Sequence, residues 1–344
     1  MAYFILSCDG GGIRGLVTAL LLDQLEKEFG IFQKVDLFAG TSTGGILALG
    51  LACGLPISRI IEIYSNEGSR IFQPFRTSEL DALLARLRIA PRPHNADHQL
   101  NDIVERLWGN LDSLFNVKYN NTGLASILQG LFPAKPLASL RKVMVTTFQL
   151  ESAEGWRPIT INNLLSGEGG ETLPVDAALS TGAAPTYFPP YQHPQLGFCI
   201  DGGVYANNPC SQALAVALQS GVQLSEITIL SVGTGFSIQK MQTIPPPAIY
   251  GPLLWLLPFA VPPTPAVPLI SVLLDGVGPA DTFQCQQILG GRFMRADAPL
   301  PSFIPMDDYQ SVSQLRGAAA SYMNTSPHWQ QVRTWAATMV SSKA

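Results

Sequence analysis

Two short runs carry residue types that could do chemistry. Residues 40–44 read Gly-Thr-Ser-Thr-Gly, a Gly-x-Ser-x-Gly pattern. In hydrolases that pattern sets a serine on a sharp strand-to-helix turn, its hydroxyl exposed as a nucleophile. Thr43 and Gly44 would open the helix, so their N–H groups point near Ser42. The alternative is that Ser42 only caps that helix. Residues 9–15 read Asp-Gly-Gly-Gly-Ile-Arg-Gly. Consecutive glycines let backbone N–H groups approach a ligand, and a helix N-terminus favours negative charge. The oxyanion formed by attack on an ester is such a charge. Gly10-x-Gly12-x-x-Gly15 also fits a dinucleotide fingerprint, which calls for an acid at the end of the next strand. Asp36 opens its strand instead. A plain tight turn packing helix on strand is the third reading.

A serine hydroxyl needs a base. The chain has four histidines, His94, His98, His193 and His328. His94 and His98 have the i,i+4 spacing of a metal pair, but prolines break the segment and no carboxylate cluster accompanies them. His193 lies in the loop-like run "YFPPYQHPQ", and His328 stands near the C-terminus. All four read as surface or capping residues. Asp201 is different. It ends the apolar run "GFCI" and precedes Gly202 and Gly203. Open α/β sheets bind ligands at that edge of a strand, and two glycines leave the carboxylate open to close approach. The alternative is a turn closed on its own backbone.

The elements that must position these residues are legible in the apolar pattern. Tyr3–Cys8 reads as a buried strand, followed by a helix that stops at Gly30. Val35–Gly40 is a second strand, and a buried helix runs from Thr43 until Gly54 and Pro56 end it. Strand, loop and helix twice in succession predict a parallel or mixed sheet covered by helices. Helices are expected over Ile57–Asn66, Thr77–Arg88, His98–Trp108 and Val175–Gly182, with Ile89–Asp97 a proline-broken loop. Arg141–Leu150, Pro158–Asn162 and Gly197–Gly203 read as strands. Asn208 is the expected cap of a helix with Pro209 first and Gly221 as the stop. Glu226–Gly235 is the last clear strand, and Gln310–Val340 is helical with a break near Pro327.

Composition bounds the function. The 344 residues are 47% apolar and 13% charged, the balance of a well-buried α/β enzyme. A net charge of −4 and a pI of 5.6 offer nothing to nucleic acid. Five widely spaced cysteines predict reduced, mostly buried thiols in a cytoplasmic protein. The start "MAYFILSCDGGG" lacks a basic n-region, so no targeting extension is expected. Met241–Leu274 has no charged residue and nine prolines. The prolines interrupt it too often for a spanning helix. The segment 241–279, with Trp255 and Phe259, is therefore expected to be a lid or an interfacial loop, against a buried crossover or protein–protein surface. Arg86, Arg88 and Arg92 read as a solvated face.

Taken together, "DGGGIRG", "GTSTGG", "ALSTGAAPTYFPP" at 178–190, "DGG" at 201–203 and "LSVGTG" at 230–235 resemble the patatin-like phospholipase family. The resemblance runs from about Tyr3 to Gly235. It implies a lipid acyl hydrolase with a Ser–Asp dyad and no histidine, on a single-domain three-layer α/β/α sandwich around a central, mostly parallel sheet. Carried over by motif, Ser42 is the nucleophile, Asp201 the general base, and Gly10, Gly11 and Gly12 form the oxyanion hole. Arg14 supports the loop or meets a lipid phosphate; Thr43, Gly44, Gly202 and Gly203 line or support the site. No metal or cofactor is implied. The implied partner is a phospholipid or other acyl lipid, met by peripheral contact with a membrane surface. Such a dyad is coherent: in a dry pocket a carboxylate loses hydration and becomes a better base. Acyl transfer, a branch of the family switched on by a cyclic nucleotide, and a non-catalytic lipid- or protein-binding module are the alternatives.

Overall fold

The computed structural model describes residues 2–74, 117–167, 169–237 and 268–343. The run Tyr3–Cys8 forms β1, buried throughout after Tyr3. A strand buried on both faces is the mark of a parallel sheet with helices on each side. β1 lies parallel between β2 (Leu37–Thr41) and β7 (Ile227–Val232). β3 (Val143–Gln149) lies parallel beside β2, and β8 (Phe293–Ala296) parallel beside β7. Three antiparallel strands complete the sheet: β4 (Arg157–Asn162), β5 (Tyr191–His193) and β6 (Gly197–Asp201). The order is β5-β6-β3-β2-β1-β7-β8, with β4 also on β3.

Side chains alternate between two cores. Phe4, Leu6 and Cys8 enter one, Ile5 the other. The first core is roofed by α1 (Gly15–Phe29), α2 (Thr43–Ala52) and α3 (Ile57–Asn66), with α4 (Gly68–Ile71), α5 (Thr122–Leu131) and α6 (Pro174–Thr181) at its margin. After the short α7 (Gly203–Ala206), α8 (Cys210–Gln219) covers the second core, together with α10 (Gly278–Leu289), which follows α9 (Pro268–Gly276). The closing pair, α11 (Val312–Thr325) and α12 (Pro327–Ser342), returns to the first core. This is the expected three-layer sandwich.

The path of β3 decides where the site forms. Over residues 144–149 one edge of β3 is taken by β4. β2 and β6 must share the other edge: β2 ends with Thr41 opposite Thr146, and β6 ends with Asp201 opposite Thr147. Two strands running in opposite senses therefore meet head to head over adjacent residues of β3. Their C-terminal ends carry Ser42 and Asp201.

Several expectations need amendment. Glu226–Gly235 is not the last strand, because β8 follows, and helix α10 precedes it. Of the two readings of His193, surface or capping residue, the structure bears out the second. The residue is buried at the end of β5, where Nδ1 accepts the N–H groups of Gln195 and Leu196 and so caps their turn. The helix after Asn208 begins at Cys210, with Pro209 as the flanking residue. Asn208 still does a cap's work, its Oδ1 accepting the Cys210 N–H. The four cysteines Cys8, Cys199, Cys210 and Cys285 are buried and Cys53 half-buried, all as free thiols. Of the expected lid, residues 241–267 lie outside the described residues. The remainder forms α9 and the start of α10, and Leu274 is buried against Gly203. The segments read as helices at 77–88 and 98–108, the loop between them, His94, His98 and the Arg86–Arg92 cluster also lie outside the described residues.

Candidate active site

Ser42 sits between β2 and α2 with φ 54° and ψ −123°. A left-handed φ is strained for a residue with a side chain. The chain tolerates it because the turn is squeezed from both sides. A Cβ on Gly40 would lie 2.1 Å from the Gly44 carbonyl oxygen, and one on Gly44 would lie 2.2 Å from that of Cys8. Only glycine at both positions lets α2 start this close to the sheet, and that approach lifts Ser42 out of the strand. Its N–H is held by Thr181 Oγ1 at 2.8 Å.

Asp201 reaches the same point from β6. Its N–H donates to the Ala183 carbonyl at 3.0 Å, so the end of α6 and the turn after it anchor both residues. The carboxylate is 2% exposed. It accepts the Gly203 N–H at 2.7 Å, and the Ser42 side chain is the other group that favours its charged form. Burial pushes its pKa up to about 7, against the opposing pull of these two groups. No cation is among the groups that shift it. An uncompensated buried carboxylate beside a strained serine is suited to accept that serine's proton near neutral pH.

The glycine loop lies against the serine. A Cβ on Gly10 would stand 3.3 Å from Ser42 Cβ. The Gly10 N–H, however, is committed to the Asn207 carbonyl at 2.9 Å. That donor is taken, so Gly10 drops out of the expected trio for a simple geometric reason. The N–H groups of Gly11 and Gly12 have no acceptor among the described residues. Both glycines have positive φ, 155° and 58°, which bends the loop. Arg14 is buried, and its Nε donates to the Gly11 carbonyl at 3.3 Å, bracing the loop from behind.

Beside Ser42 opens an apolar cavity of about 60 Å³, with Ile46, Phe72, Leu124, Phe188 and Met306 in its wall and Gly12 at its rim. Phe72 and Phe188 stack with centroids 6.0 Å apart, and Tyr309 stacks on Phe72 from farther out. A larger hollow of about 740 Å³, its wall mixed in polarity, borders β4 and His193. Ser42 and Asp201 are not among its lining residues, so size does not mark the site here.

Comparison with known proteins gives the family. The family model described as patatin-like phospholipase matches residues 6–214. The chain belongs to the patatin-like phospholipase family. It is 32% identical over 210 residues to a cGAMP-activated phospholipase of Pseudomonas aeruginosa, covering 60% of this chain and 54% of that protein. It is 26% identical over 287 residues to patatin-15 of Solanum tuberosum, covering 74% of this chain and 66% of the relative. The chain thus spans about half to two thirds of the length of these relatives. Among solved structures, VipD from Legionella pneumophila aligns with a TM-score of 0.41 at 11% identity, covering 93% of this chain and 67% of that one.

The patatin-like match holds Ser42, Asp201 and the glycine loop, but stops well short of β8. Motif reading missed the residues that hold the site together. Thr181 lies inside the quoted run 178–190, where a polar residue at the end of an apolar helix was the available signal. Asn207, which fixes Gly10, and Thr41, whose Oγ1 bonds the Ala206 carbonyl at 2.6 Å, had no signal of their own. No helix among the described residues is long and apolar enough to cross a membrane.

Proposed function

We propose that this chain hydrolyses fatty-acyl esters of lipids through a Ser42–Asp201 dyad. The placing of a strained Ser42 beside a buried carboxylate whose pKa is raised to about 7 carries this reading. Asp201 takes the hydroxyl proton as Oγ attacks the ester carbonyl carbon. The carbonyl oxygen becomes an oxyanion facing the N–H groups of Gly11 and Gly12. Collapse breaks the ester C–O bond, and the departing alcohol takes the proton from Asp201. The acyl group is left on Ser42. Water then gives a proton to Asp201 and attacks the acyl carbon. Release of the fatty acid returns that proton to Ser42. The apolar cavity beside Ser42 receives the start of the acyl chain, and the enzyme meets its substrate by peripheral contact with a lipid surface.

The test is release of fatty acid from phosphatidylcholine vesicles and of nitrophenol from a short-chain ester. Ser42→Ala and Asp201→Asn should each abolish both while the far-UV circular dichroism is unchanged. Full turnover in either folded variant would sink the dyad. The similarity to proteins named cGAMP-activated phospholipases supports a second point, that a cyclic dinucleotide raises the activity. Identical rates with and without added cGAMP would exclude it.

A further inference from the structure

Arg295 lies on β8, outside the family match, yet its guanidinium reaches back to the glycine loop. The parallel register puts Arg295 opposite Ser231 and Ser231 opposite Ser7. Asp9 follows Ser7 by two residues, and Asp297 follows Arg295 by two, so all five side chains rise on one face of the sheet. Nη1 donates to Asp9 Oδ1 at 2.8 Å and to Ser231 Oγ at 2.7 Å. Nη2 donates to Asp9 Oδ2 at 2.6 Å and to Asp297 Oδ2 at 2.8 Å. Asp297 Oδ1 in turn accepts the Gly235 N–H at 2.9 Å, and Thr234 Oγ1 donates to the Gly10 carbonyl at 3.0 Å. One planar fork thus ties the ends of β1, β7 and β8 together.

The fork bears on the loop's donors. Gly11 and Gly12 have no acceptor of their own among the described residues, so their direction is set by the loop's fixed points: Asp9 and Gly10 before them, and after them Arg14, bonded to the Gly11 carbonyl, and Ile13, bonded to Met306. Gly10 is pinned by Asn207 and Thr234; Asp9 is pinned by Arg295 through both carboxylate oxygens. A bidentate pair fixes angle as well as distance, and an ammonium cannot reproduce it.

We propose that Arg295 is a positioning residue: by clamping Asp9 to Asp297 it sets the direction in which the Gly11 and Gly12 N–H groups meet the oxyanion formed at Ser42. This rests on the hydrolase reading above. Burial holds the Asp9 pKa at about 6 even with the cation beside it. The clamp is therefore charged at neutral pH, and removing the guanidinium would leave a buried carboxylate uncompensated.

The test compares the whole chain with Arg295→Lys and Arg295→Met, using p-nitrophenyl butyrate and amide hydrogen exchange over residues 8–13. Both variants should lose about 100-fold in kcat with KM within about threefold. Exchange at 8–13 should quicken at least about tenfold, while the rest of β1 stays protected. Lys should lose less than Met. A folded Arg295→Lys with wild-type kcat and wild-type exchange overturns the proposal. If Arg295→Met does not fold, Arg295→Lys decides alone. If neither folds, Arg295 is a stability residue and the proposal fails. Should wild type and Ser42→Ala release nitrophenol equally, the hydrolase reading falls. Unchanged exchange at 8–13 would then separately overturn the clamp.

Discussion

Two buried aspartates stand at the ends of strands on the same edge of this sheet, and they are held in opposite ways. Asp201 has a hydroxyl and one backbone N–H for company; Asp9 has both arms of a guanidinium. Each is nearly inaccessible, at 2% and 5% exposure, so desolvation acts on both. Asp201 is pushed up to about 7, and Asp9, with its cation, to about 6. The first has no cation among the groups that shift it. The second is tied into a fork whose partners hold it in place. Burial alone does not make a carboxylate a base; burial without a counter-ion does.

Exchanging the two environments' chemistry breaks this comparison most sharply at Asp201. Asp201→Asn should lower kcat/KM for a soluble ester about 1000-fold, since a base's contribution disappears. In the wild type, the acid limb of kcat/KM should have its midpoint near pH 7, with activity lost below, because Asp201 must be ionised to accept the proton. A flat profile from pH 5 to 8 would remove Asp201 from that role.

Asp9→Asn should cost less, about 30-fold in kcat, by loosening the loop and not by removing a proton acceptor. Its acid limb should keep the wild-type midpoint. A midpoint that moves would make Asp9 a titrating participant and erase the distinction between the two.

A thermal comparison sharpens the point from the side of stability. The folded pKa of Asp201 lies above its ordinary value of 3.8. The folded state therefore keeps a proton that the unfolded state releases, and stability falls as pH rises from about 4 to 7. Asp201→Asn should be nearly neutral at pH 4 and raise Tm by about 4 °C or more at pH 8. Equal Tm shifts at both pH values would mean that the carboxylate is not strained by burial.

The smallest effect is expected at His193, whose imidazole holds a turn. His193→Ala should leave kcat within about twofold, with a stability cost of about 1 to 2 kcal/mol from the lost hydrogen bonds. A hundredfold loss in a folded variant would reopen the search for a histidine base.

Much of the site was readable before any coordinates. Gly40, Ser42 and Gly44 announce the elbow because only glycine fits the close approach on either side. Gly10, Gly11 and Gly12 announce a bent loop for the same steric reason. The family resemblance pointed to Asp201 as the partner of Ser42. β8 was not readable: it has four residues, one of them an arginine, and no apolar alternation. Its arginine is tolerated there because Asp9, from a turn far away in the chain, and Asp297, two residues on, both meet it. The role of Gly10 was misjudged because its N–H partner, Asn207, is nearly two hundred residues away.

The sequence by itself determined the local geometry, since steric limits on glycine, apolar period and strand ends act within a few residues. It also determined which side chains have the chemistry for a dyad. Only the tertiary structure decided that they meet. That depends on β2 and β6 sharing one edge of β3 from opposite directions, with Thr41 and Asp201 facing neighbouring residues. The pKa of Asp201 was decided there too, because desolvation is the work of every element packed around a carboxylate, and no motif contains them all.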